Sequence, residues 1–113
     1  MKQGEIWDIN LGNNLETDGG EACSVIVIND DTIDILPSRV IVPLTEWQDK
    51  FGDAIWLIRV DPNYENNLGR TSAVDAFQVH TIPTSRFIKK IGVVSVQELQ
   101  HIKNAIKAII SSE

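Results

Sequence analysis

Apolar and polar residues alternate along Glu5 to Leu11 (EIWDINL), apart from the adjacent apolar pair Ile6-Trp7. Ile6, Asp8 and Asn10 share one side, and Trp7, Ile9 and Leu11 the other. A period of two predicts a strand with two unlike faces. Ser24 to Ile28 (SVIVI) does not alternate, and its β-branched run predicts a strand buried on both faces. Four more segments read as strands: Arg39 to Leu44 (RVIVPL), Ile55 to Val60 (IWLIRV), Ala76 to Ile82 (AFQVHTI) and Phe87 to Val94 (FIKKIGVV). Pro43 removes a ladder donor, which puts that end of its strand at an edge or a bulge. Turn formers separate the segments: Asn13-Asn14, Gly19-Gly20, Asn29-Asp30-Asp31, Asp61-Pro62-Asn63 and Asn66-Asn67-Leu68-Gly69.

After Val94 the period changes. Ser95-Val96-Gln97-Glu98 is a capping box, in which the Ser95 hydroxyl and the Glu98 carboxylate each satisfy the other's free amide. Val96, Leu99, Ile102, Ile106 and Ile109 then recur every three or four residues. This predicts a helix from Val96 to about Ile110 that packs an apolar stripe against the sheet. Short strands followed by one amphipathic helix make a mainly β domain: a small, strongly bent sheet or barrel with the helix over an open side. The barrel spans about 2–94 and the helix about 95–110. Residues 1–113 form one domain, a length that suits one core.

An apolar content of 42% and a charged content of 23% place the chain among globular rather than disordered sequences. No apolar run is long enough to span a bilayer, and the N-terminus lacks a signal-like stretch, so no membrane is expected and a cytoplasmic location is. The one cysteine, Cys23, has no internal disulfide partner. The net charge of −6 opposes non-specific binding to nucleic acid. The cations are uneven, however: Arg70, Arg86, Lys89, Lys90, Lys103 and Lys107 all fall in the last 44 residues. His80 and His101 lie on different elements without ligand spacing, so neither a metal nor another cofactor is expected.

The remaining stretch is ETDGGEAC, residues 16 to 23, an acidic loop with two adjacent glycines ahead of SVIVI. Gly19 and Gly20 allow a sharp bend or close approach of a ligand. With this loop the order becomes GEIWDINL, a glycine-containing loop, SVIVIND, VIVPLTEW, TSAVDAFQVHTI, KKIGVVS and a terminal helix. It resembles the MazF/PemK toxins, the endoribonucleases of type II toxin–antitoxin systems. ILPSRVIVPLTEWQDKF and LGRTSAVDAFQVHTIPTSRFIKKIG carry the resemblance most specifically. It implies an SH3-like barrel of five to seven strands, a homodimer, and metal-independent cleavage of single-stranded RNA at short sequences. It further implies a cognate antitoxin protein that threads an acidic segment across the dimer.

Carried over residue by residue, the resemblance puts Glu16, Gly19 and Gly20 in the RNA-binding loop. The family's catalytic arginine falls on Ala22, with Glu21 the alternative in a shifted alignment, and its proline falls on Cys23. The threonine after the third strand is Thr45. The glutamine is Gln78, the basic residue that follows it is His80, and the serine of the preceding turn is Ser72. The implied reaction is attack of a ribose 2′-OH on phosphorus, with charge building on the non-bridging oxygens. A guanidinium suits that charge, and alanine cannot supply it. Thr45 can donate a hydrogen bond to phosphate, His80 can move a proton near neutral pH, and Arg70 can reach phosphate from its turn. Each has a plainer role: Thr45 bonding nearby backbone, His80 on a strand surface, Arg70 in solvent. Trp47 could stack on an unpaired base or pack internally, whereas Trp56 reads as core or dimer packing. Two alternatives stand beside the nuclease: an inactive RNA- or antitoxin-binding module on the same fold, or a CcdB-like inhibitor of DNA gyrase. An RNA surface should gather Arg70, Arg86, Lys89 and Lys90 near Gly19-Gly20.

Overall fold

Val25, Ile26 and Val27 are each no more than 1% exposed, yet they serve two different cores. Ile26 joins Ile6, Val42, Val60, Val74, Val94 and Ile102 on the inner face of the sheet. Val25 and Val27 join Ile9, Ile41 and Ile82 on the other face. The computed structural model describes residues 1–10 and 22–111, with the backbone alone at Ala22. Seven strands precede one helix: β1 (Glu5–Asn10), β2 (Ala22–Val27), β3 (Ser38–Glu46), β4 (Leu57–Val60), β5 (Ser72–Asp75), β6 (His80–Pro83), β7 (Phe87–Val93) and α1 (Val96–Ile110). The order is β4-β5-β3-β2-β1-β7, with β6 also on β3, and every pairing is antiparallel.

The strand expected over Ala76–Ile82 is instead broken. β5 pairs Val74 with Leu44, and β6 pairs His80 with Ile41. Between those pairs β3 spends two residues and its partner five. The surplus of three is a 3-10 turn, Ala76–Gln78. Asp75 causes the break: its carboxylate accepts the Phe77 N–H at 3.1 Å and caps the turn. Pro43 lies in the same stretch of β3, where a missing amide costs no ladder bond.

The end strands β4 and β7 are joined by the loop after β4. The buried Asn66 organises it, accepting from the amides of Asn63 and Leu68 and donating to the Asp61 carbonyl at 2.9–3.0 Å. The loop then bonds β7 through Val93 N–H to the Glu65 carbonyl and Asn67 Nδ2 to the Ile91 carbonyl. Gly92 is needed there, because a Cβ would stand 2.7 Å from the Asn66 carbonyl carbon and oxygen, and closer still to Glu65 O.

Helix α1 begins with the expected capping box: Ser95 Oγ accepts from Glu98 N at 3.0 Å, and Glu98 Oε1 from Ser95 N at 2.9 Å. Ile102 is fully buried, with Leu99 and Ile106 packed beside the same core. Val96 is 84% exposed and does not belong to the stripe. It lies in the first turn, beyond the core that Ile102 fills.

Candidate functional site

The register brings the chemistry to one end of the sheet. β1 ends at Asn10, which pairs with Ala22 at the start of β2. Ile9 pairs with Phe87 at the start of β7. β2 runs antiparallel to β3 with Val25 opposite Pro43, so the Ala22 end of β2 points toward Thr45 and Glu46. Glu46 pairs with Ser72 at the start of β5. Arg86, Lys89, Ala22, Thr45 and Arg70 therefore line one end across five neighbouring strands, roughly 19 Å at about 4.8 Å per strand. Lys90, the next residue on β7, is drawn away by Glu5, with Nζ 3.2 Å from Oε2. Glu16, Gly19, Gly20 and Glu21 lie outside the described residues.

On β3 the residues alternate: Val42 is buried inside and Thr45 is exposed on the outer face. The Thr45 hydroxyl bonds no neighbouring backbone group among the described residues. Trp47 follows, its N–H donating to the Thr71 carbonyl at 3.1 Å. The 3-10 turn Asp49–Phe51 folds back so that Phe51 meets Trp47 edge to face, centroids 5.5 Å apart. Arg59 from β4 stands over the Trp47 ring at 5.7 Å, a cation–π contact. The Trp47 ring is thus engaged within the fold. Trp56 is 43% exposed in the single chain, so it is not a core residue, which corrects that half of the expectation and leaves dimer packing as the other. It precedes β4, where the sheet no longer covers it.

Arg59 and Arg70 have acidic partners among the described residues. Arg59 Nε lies 3.1 Å from Asp61 Oδ1, and Arg70 Nη1 lies 3.0 Å from Glu46 Oε1. The Arg59 bond, followed by one from the Thr71 hydroxyl, lowers the Asp61 pKa. Arg70 and Glu46 are both more than 60% exposed, and such a pair is worth about 0–1 kcal/mol. Arg70 can therefore exchange Glu46 for a phosphate at little cost.

Ser72 is buried and donates its hydroxyl to the Arg70 carbonyl at 3.1 Å, so it shapes the turn that carries Arg70. Gln78 is exposed on the 3-10 turn. His80 is also exposed, and its Nδ1 bonds the Gln78 carbonyl at 2.8 Å. A carbonyl only accepts, so Nδ1 carries the proton and Nε2 is the basic nitrogen. His80 pairs with Ile41, four residues before Thr45 along β3 and roughly 13 Å away in extended strand. Among the described residues no His, Cys, Asp and Glu side chains cluster to hold a metal ion.

Beside Thr45 opens a cleft of about 610 Å³. Phe51, Ala54, Trp56 and Leu57 form its apolar walls, and Lys50, Asp53 and Asp75 line it with polar groups. The sequence reading missed Lys50, Arg59 and Asp75. For Arg59 the signal was present: it alternates with core positions Ile58 and Val60 in IWLIRV, and so must face outward.

The model of the PemK-like, MazF-like toxin of type II toxin–antitoxin systems matches residues 2–110. No curated protein sequence matches the chain. Among solved structures, a mycobacterial endoribonuclease in complex with its cognate antitoxin is similar at a TM-score of 0.78 and 15% identity, covering 100% of this chain and 97% of that one. Mycobacterium tuberculosis toxin MazF-mt6 is similar at 0.72 and 19% identity, covering 92% and 93%. MazF in the MazE–MazF complex of Deinococcus radiodurans is similar at 0.74 and 13% identity, covering 97% and 95%. At these identities the likeness is one of fold.

Proposed function

The chain belongs to the PemK-like, MazF-like toxin family of type II toxin–antitoxin systems, and from this we propose that it acts on single-stranded RNA as an endoribonuclease. It works as a homodimer and is neutralised by a cognate antitoxin protein. The observation that carries this reading is the exposed Thr45 hydroxyl, unbonded among the described residues, at the sheet end where Ala22 begins β2 and Arg70 precedes β5.

The reaction is attack of a ribose 2′-OH on the adjacent phosphorus with expulsion of the 5′-oxygen, which leaves a cyclic phosphate. Thr45 donates a hydrogen bond to a non-bridging oxygen. Arg70, released from Glu46, supplies positive charge to the same phosphate. His80, on β6 opposite Ile41 and so four residues from the level of Thr45, contacts a flanking nucleotide. The family resemblance assigns further RNA contacts to Glu16, Gly19, Gly20 and Glu21. Ala22 favours a second reading, a binding module without cleavage, because the family's guanidinium position holds only a methyl group. Removal of one such electrostatic contact costs about 2.7–4 kcal/mol, or roughly 100- to 1,000-fold in rate.

The test compares this chain with its Ala22→Arg variant on a long single-stranded RNA without metal, with cut sites mapped. Cleavage at one short motif that is at least 100-fold faster in the variant supports a toxin scaffold limited by residue 22. Equal, sequence-specific cleavage by both assigns the work to Thr45 and Arg70. If neither cuts and both bind RNA, the binding module replaces the nuclease.

A further inference from the structure

Arg59 and Arg70 stand at the Thr45 end of the sheet and are held unequally. Arg59 Nε bonds Asp61 Oδ1 at 3.1 Å, the Thr71 hydroxyl donates to the same oxygen at 3.0 Å, and the guanidinium lies over the Trp47 ring. Among the described residues the Arg70 side chain has a single partner, with Nη1 3.0 Å from Glu46 Oε1. The backbone around it is pinned. The Arg70 carbonyl accepts the Ser72 hydroxyl at 3.1 Å, and the Thr71 carbonyl accepts the Trp47 N–H at 3.1 Å. Only the Arg70 side chain is left to move, and Glu46 decides where it points. Successive strand residues face opposite sides of a sheet. Thr45 is on the outer face, so Glu46 is on the side that carries Val42 and Leu44. The ion pair therefore keeps the guanidinium on the side of β3 away from the Thr45 hydroxyl.

We propose that Glu46 is an autoinhibitory residue, whose carboxylate occupies Arg70 as a phosphate would and holds it away from Thr45 until a phosphodiester chain displaces it. A carboxylate and a phosphate present the same kind of acceptor oxygens to a guanidinium, so each excludes the other. Thr45 pairs with Ala73, three residues and at most roughly 11 Å of chain beyond Arg70, a gap that a guanidinium and one phosphate together fill. The pair is exposed and weak, so the lock delays binding rather than preventing it. Arg59, with its additional bonds, stays in place when Arg70 is released. Glu46 touches neither the ribose nor the reacting phosphorus; it acts through Arg70. This inference rests on the RNA reading above and adds regulation of the same site, and its test separates the two.

A fluorescein-labelled 2′-O-methyl oligonucleotide of mixed sequence lacks the attacking hydroxyl, so its binding is measured without cleavage. Anisotropy titrations at low salt should show Glu46→Gln binding roughly fivefold tighter than the unaltered chain, with the advantage shrinking as salt rises. Arg70→Ala should bind more weakly than the unaltered chain. The deciding comparison is the double variant: once Arg70 is alanine, adding Glu46→Gln should change nothing, because there is no guanidinium left to release. Both side chains are exposed, so the melting temperatures should be the same throughout. If Glu46→Gln tightens binding equally with and without Arg70, Glu46 acts by general repulsion; the lock is wrong and the RNA reading stands. If Glu46→Gln leaves binding unaltered while Arg70→Ala weakens it, the lock is again wrong and Arg70 is free to bind unaided. If no form binds even at low salt, the RNA reading fails and takes the lock with it.

Discussion

Glu5 has four donors or cations around its carboxylate, and its removal has a calculable, pH-dependent cost. Its oxygens accept from the Lys2 N–H and the Trp7 indole N–H at 2.9 Å, lie 3.2 Å from Lys90 Nζ, and sit 3.7 Å from the N-terminal ammonium. Burial alone would raise its pKa. The bonds from Lys2, Trp7 and Lys90, with the Lys90 charge, outweigh that and bring it from 4.5 to about 2. At about 1.4 kcal/mol per pH unit this is roughly 3 kcal/mol of stability, reduced by solvent screening to about 2. Because the folded pKa lies below the unfolded value, the contribution is complete above about pH 4.5 and disappears as pH falls toward 2. Glu5→Gln keeps the shape and loses the charge. Urea denaturation at one protein concentration, which removes any effect of self-association, should show the variant about 2 kcal/mol less stable at pH 7. Half of that difference should be gone near pH ~3.3, midway between the two pKa values. A difference that stays constant from pH 7 to pH 3 would refute the electrostatic account and assign the loss to packing.

Two further changes test how the sheet is closed and capped. Gly92→Ala drives a methyl into the backbone of Glu65 and Asn66 and should cost roughly 3 kcal/mol; a loss under about 1 kcal/mol in chemical denaturation would mean the loop yields without strain. Ile102→Ala empties a fully buried site and should cost about 2–5 kcal/mol, against less than about 0.5 for the exposed Val96→Ala. Equal melting temperatures for the two variants would show that the helix is held by something other than its core face.

The division of the cations bears on how the site works. Arg70 and Arg59 belong to surface ion pairs at the β3 end, whereas Lys90 is tied into the Glu5 network on β1. A chain with a net charge of −6 has little general attraction for RNA, so the proposed function requires these local exchanges of partner. The weak Arg70–Glu46 pair suits such an exchange, and the Lys90–Glu5 pair, with its half-buried carboxylate, does not.

Several features were legible in the sequence because they depend on neighbours along the chain. The alternation in EIWDINL put Ile6 in the inner core and Trp7 and Ile9 on the opposite face. The unbroken SVIVI run filled both cores, since adjacent strand residues point to opposite sides. The capping box set the start of α1 at Val96, because its two hydrogen bonds span only three residues. The resemblance supplied Thr45 as a residue of interest, and the register gave it neighbours. Other features arose only in three dimensions. AFQVHTI has β-like residues throughout, but a carboxylate one residue earlier capped Phe77 and expelled three residues as a 3-10 turn. Trp56 read as core or dimer packing, and only the fold showed that the core does not take it. The cleft joins Lys50, Trp56 and Asp75 across 25 positions of sequence, and no local pattern marks such a grouping. The sequence by itself determined periodicity, caps and the two-faced core, since those follow from backbone geometry over a few residues. The tertiary structure alone decided which side chains share the end of the sheet, because strand register and partner order depend on the whole chain closing on itself.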